Sequence, residues 1–216
     1  MAWAMPIPCL ALPSINWSGP INHEIGTGPG EWFTPFDLDN NGVADIMFRT
    51  FETTMYLQPL GGNGIVATTQ QFSNFYDPIS AGLLIDQDLA SPNLWDTDER
   101  NILTYMIEEP FNELVGGGSW YGVQSGYLGV SFYIDSDLHY AWVRMSENNM
   151  TLTVHDWAYE TQPGVGIYAG AGAVLEPATT SLLTTGLMAL LIGTRKRKSR
   201  TRRCTPTRHK WREGER

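Results

Sequence analysis

The chain has 216 residues, 42% of them hydrophobic, and a net charge of −9. That is enough apolar material for one packed domain with a tail, and it excludes a chain disordered from end to end. Residues 195–216 hold eleven of the fourteen basic residues and two of the twenty-three acidic ones, a tail at +9, whereas the 194 residues before them stand at −18 with only Arg49, Arg100 and Arg144 as bases. A body so acidic is repelled by nucleic acid and by anionic lipid, so no nucleic-acid partner is expected. The basic tail suits an anionic surface.

In chain order, residues 1–13 are apolar but have no basic start, and Pro6, Pro8 and Pro13 interrupt them. They read as a degenerate or truncated export signal. Cys9 and Cys204 are the only cysteines, too few for a cysteine-type metal site.

Residues 14–174 read as one all-β domain, an antiparallel β-sandwich or jelly roll, in which Gly- and Pro-rich turns separate short strands. Its clearest candidate site comes early, at Asp37-Leu38-Asp39-Asn40-Asn41-Gly42-Val43-Ala44-Asp45. Calcium takes several oxygen ligands from a short loop, with acids at alternate positions and a glycine at the turn. Asp37, Asp39 and Asn41 fill the first three such positions, Gly42 supplies the turn, the Val43 carbonyl and Asp45 follow, and Ca2+ is the expected cofactor. Phe48 stands where an EF-hand would place its glutamate. The loop resembles the calcium loops between strands of FG-GAP-type propellers. The competing reading is an acidic Asn-Gly hairpin turn that needs no metal.

Residues 46–57 are β-branched and aromatic and predict a strand, ended by the turn cluster at 59–64. Residues 98–106 fit a short helix or another strand. Turns are expected at 116–119, 147–149 and 162–164, and strands at 126–134 and 150–159. Trp95, Trp120, Trp142 and Trp157 offer faces for a carbohydrate, with Trp95 and Trp120 the expected ligand residues; packing inside the sandwich is the alternative for Trp142 and Trp157.

No catalytic residues are expected. Among the histidines His23, His139, His155 and His209 there is no metalloprotease or nucleophile-elbow pattern. His155-Asp156 and Glu108-Glu109 are neighbours on strand-like stretches, which send adjacent side chains to opposite faces.

The C-terminal segment is the most specific. Glu176-Pro177 precedes residues 178–194, which carry no charge, and then comes Arg195-Lys196-Arg197-Lys198. As a helix the uncharged run would be roughly 25 Å long, slightly short of the hydrocarbon core, with its basic flank on the cytoplasmic side. Residues 175–199 resemble the PEP-CTERM sorting signal, with Leu175 where the motif has its first proline; residues 200–216 then form a basic cytoplasmic tail. The run His139–Met145, followed by His155–Glu160 and Pro163-Gly164, resembles a recurring hairpin of the same family, with Ala141 for the usual glycine. The resemblance implies an exported bacterial protein of the cell envelope or extracellular matrix. It implies sorting by an exosortase-type membrane protease, a C-terminal transmembrane helix before processing, and association with extracellular polysaccharide. The alternative function is a β-sandwich carbohydrate-active enzyme, a glycosidase or lyase.

Overall fold

The structure, a computed structural model, describes residues 14–26, 30–70, 73–97, 101–108 and 114–173. Among these residues every regular element is a strand and every pairing is antiparallel. No helix there is long and apolar enough to cross a membrane. The expected C-terminal helix, the signal-like residues 1–13, the sorting motif, the basic anchor and the basic tail lie outside the described residues. The compact unit that carries the strands spans Met1–Ala173.

The larger sheet is built on a meander of β12 (Gly126–Ile134), β13 (Asp137–Asn148) and β14 (Thr151–Glu160). Asn148 pairs with Thr151, and the two residues between them, Asn149 and Met150, have φ of 49° and 62°. Two left-handed residues match the twist of the flanking strands, which is why an Asn opens this turn. The N-terminal β1 (Ile15–Trp17) and β2 (His23–Gly26) both pair with β14. On the other side β6 (Gly64–Gln70) pairs with β12, and β7 (Ser73–Phe75) and β9 (Asn93–Asp96) pair with β6.

The smaller sheet runs in the order β11 (Leu114–Gly117), β10 (Asn101–Glu108), β5 (Thr54–Pro59), β4 (Ile46–Phe51), β3 (Glu31–Phe36). The ambiguous stretch at 98–106 is therefore strand from Asn101 onward. Gly116 and Gly117, expected in a turn, sit in β11 instead, because Gly117 lies against the Tyr105 ring, where a Cβ would come within 2.7 Å of Cζ. Close approach, rather than a bend, is what these glycines provide.

Ile46, Phe48, Met55 and Leu57 of the smaller sheet pack with Ile65, Leu128, Val130, Phe132, Val143, Met145, Leu152 and Val154 of the larger one in a single buried cluster. The far face of the larger sheet is also covered. A two-stranded ribbon, β8 (Leu84–Ile85) with β15 (Ile167–Tyr168), contributes Ile85 and Ile167 to a second cluster with Val66, Tyr140, Trp142 and Ala158. Trp142 donates from Nε1 to the Ala171 carbonyl at 3.0 Å, so its one polar atom is satisfied inside that cluster.

Candidate functional site

The Asp37–Asp45 loop joins β3 to β4, and its base is fixed by the sheet. Phe36 and Ile46 are register partners, and Asp45 N donates to the Phe36 carbonyl at 2.8 Å. Asp45 is buried, and its carboxylate accepts from Leu38 N at 2.8 Å and from Asn63 Nδ2 at 3.2 Å. Asn63 Nδ2 also reaches the Asp45 carbonyl at 3.1 Å. Asn63 comes from the β5–β6 turn, which the sequence marks only as a turn. Its part in the site follows from the pairing of β4 with β5.

At the tip, short polar side chains organise the backbone. Asp37 accepts from Gly42 N at 2.7 Å and Asn41 N at 3.2 Å, and Asp39 accepts from Asn41 N at 3.1 Å. Gly42 has φ of 91° and Asn40 of 61°, the left-handed region these residue types tolerate best. Carboxylate oxygens of Asp37, Asp39 and Asp45 thereby lie within 4.8 Å of one another. Asn41 is placed differently. Its Oδ1 accepts from Val43 N at 2.7 Å and its Nδ2 donates to Asp39 at 3.0 Å. It shapes the turn, while the three carboxylates converge. The Val43 side chain is exposed.

Crowding three acids perturbs them. Burial, with repulsion from Asp39 and Asp37, pushes Asp45 from 3.8 up to about 6, against the pull of the Leu38 and Asn63 hydrogen bonds. Asp39 is also raised, by burial first and by its neighbour Asp37. Burial acts on Asp37 in the same direction, but hydrogen bonds from Gly42, Asp39, Asn41 and Asn40 together outweigh it and hold its carboxyl below the usual value. Three hard oxygen donors in one loop have the chemistry that suits calcium.

Beside the loop lies a surface cavity of about 380 Å³ lined by Ile21, His23, Thr34, Pro35, Phe36, Asp37 and Trp157. Trp157 packs against Phe36 edge to face and donates from Nε1 to the Leu38 carbonyl at 3.0 Å, tying β14 to the loop.

The other tryptophans are placed apart. Trp120 is fully buried and donates to the Tyr76 carbonyl at 2.7 Å, so it has no ring face to offer a sugar. Trp95 is half-buried, stacks on Tyr140 and donates to the Asp86 carbonyl at 3.0 Å. The two do not form a common platform: one fills the core between the sheets, the other packs against the ribbon-covered face.

The histidines of the hairpin hold structure together. His139 Nδ1 meets the Glu160 carbonyl at 2.8 Å. His155 bridges Ser146 Oγ at 2.8 Å and Asn22 Oδ1 at 2.9 Å, fastening the N-terminal segment to the sheet. Asp156, on the neighbouring position, turns instead to Arg144, whose Nε and guanidinium nitrogen donate at 2.8 and 2.9 Å.

Comparison of the chain with protein-family models, with curated proteins and with solved structures finds no match.

Proposed function

We propose that this chain is an exported, non-enzymatic cell-surface or extracellular-matrix protein of a bacterium: a calcium-binding β-sandwich delivered to the envelope through a PEP-CTERM-like signal. The observation that carries the reading is the division of the chain. The compact unit ends at Ala173. Directly after it come Glu176-Pro177, an uncharged run and four consecutive bases, and a body at −18 gives way to a tail at +9. A chain built in this order is suited to crossing a membrane, pausing there by its last segment, and leaving an acidic domain outside. Two antiparallel sheets sharing one core support the sandwich form. The calcium reading rests on the convergence of Asp37, Asp39 and Asp45. Extracellular polysaccharide is the partner class that the family resemblance implies.

Fractionation tests the sorting reading. In a host with an exosortase, the full chain is expected in the membrane fraction before processing, with cleavage near Glu176-Pro177. Deleting residues 178–216 should release it. Full-length protein that partitions as soluble in such a host overturns the proposal.

A further inference from the structure

We infer that the cleft beside the Asp37–Asp45 loop binds a small organic ammonium ion, with Asp37 as its counter-ion and His23 and Trp157 as aromatic walls. The cleft, about 380 Å³, opens where β2 of the larger sheet meets β3, the edge strand of the smaller one. Clefts from roughly 300 Å³ upward suit small ligands. Its floor is the buried Phe36, which the rings of His23 and Trp157 meet edge to face, with centroids 5.7 and 5.6 Å away. Ile21 and Thr34 complete the walls.

The chemistry of this lining selects a cation. Asp37 supplies the charge. Its Oδ1 accepts from Asn41 N and its Oδ2 from Gly42 N, and each carboxylate oxygen keeps a second lone pair for a ligand. The Nε1 of Trp157 is already given to the Leu38 carbonyl, so this ring offers the cleft only carbon and π-electron density. Such a ring attracts an ammonium ion, the more so where water is partly excluded. An anion would need donors and a positive field. Among the described residues the bases are Arg49 and Arg144; each is paired with an acid, and neither lines the cleft. The body around the cleft stands at −18, which concentrates small cations and repels anions. A neutral sugar gains nothing from that field.

Pro35 decides between a free ion and a peptide. It removes a backbone donor from β3, so an extended peptide cannot join this edge by an unbroken ladder. The occupant is a free molecule with an ammonium head at Asp37 and a short carbon stem along Ile21 and Trp157.

The probe is butylammonium, titrated into the full chain in a mild detergent at fixed ionic strength and followed by saturation-transfer NMR. EDTA keeps calcium off the loop, so the result stands apart from the calcium reading. Butylammonium is expected to bind, and butanol and butyrate to bind at least about tenfold more weakly. Asp37→Asn should weaken butylammonium by about tenfold. Thr34 is half-buried on the cleft wall, and two variants there separate charge from shape. Thr34→Lys should abolish binding, and Thr34→Glu should tighten it. Circular dichroism confirms that each variant is folded. No binding of butylammonium overturns the proposal, as does equal affinity for butanol or loss of binding in both Thr34 variants. So does binding unchanged in both Asp37→Asn and Thr34→Lys, which would be diffuse attraction to the acidic body, or a preference for glucose or a lysine peptide over butylammonium.

Discussion

The two large sheets use the same kinds of residue in different ways. Seven of the twelve residues in β13 are buried, five of them in succession, because the smaller sheet covers one face and the β8–β15 ribbon covers the other. In β4 burial alternates strictly until Phe51, because only one face is covered. The difference teaches that burial alternates along a strand covered on one face and becomes continuous where a second layer covers the other. On the smaller sheet it leaves Phe33, Phe51, Ile102, Ile107 and Val115 exposed.

The largest expected effect tests the covered face. Trp142→Ala removes a fully buried ring and leaves the Ala171 carbonyl without its donor; unfolding in urea should show a loss of about 3–5 kcal/mol. If the ribbon were a loose flap, the loss would fall to the level of a surface substitution.

Next comes the loop at the end of the smaller sheet. The folded protein raises the Asp45 pKa from 3.8 to about 6, so in EDTA the native state binds the extra proton between those values. Stability from this group is present below the lower value and is lost as pH rises toward the upper one, by up to about 3 kcal/mol. Melts across that window should show a falling component that Asp45→Asn removes. His155 acts oppositely. Burial and Arg144 lower its pKa from 6.5, so its protonation destabilises the fold as pH falls, and His155→Gln isolates the Asp45 component.

Calcium should reverse the cost at Asp45. At a hundredfold excess over Kd, binding adds ~2.7 kcal/mol to stability. The melting temperature should rise in Ca2+ and much less in Mg2+ at matched ionic strength, because magnesium demands octahedral geometry and keeps its waters. Asp37→Ala and Asp39→Ala should each abolish the shift. Equal melts in EDTA, Ca2+ and Mg2+ would leave the loop as a hydrogen-bonded hairpin connection.

The smallest effect sharpens the contrast with Trp142. Phe51→Ser at low protein concentration should change stability by no more than ~0.5 kcal/mol, since the ring is already exposed on the folded monomer. A loss near that of Trp142→Ala would mean that the outer face of the smaller sheet is covered within one chain.

Much of the fold was legible in the sequence. The run at 46–57 was legible as strand but not as two: a turn at Glu52-Thr53, with Glu52 at φ of 50°, divides it into β4 and β5. The alternating runs at 126–134 and 150–159 became β12 and β14, and Asn148-Asn149 marked the turn between β13 and β14. The glycines at 116–117 misled, because a glycine that makes room for an aromatic ring looks the same in sequence as one that turns the chain. The candidate loop was legible as spacing: Asp37, Asp39 and Asp45 stood out from their order alone. Asn63 did not, because its contact with Asp45 spans 18 residues and depends on how β4 lies beside β5.

What the sequence determined by itself was local. Side-chain period sets strand type, Asn and Gly permit left-handed turns, and the placement of charge divides an acidic body from a basic end. Only the tertiary structure decided which aromatics are spent on packing and which remain outside. Trp120 and Phe33 are both large apolar residues, yet one is fully buried and the other more than half exposed. Burial is a property of the layers stacked on a strand, and those layers come from segments far away in the chain.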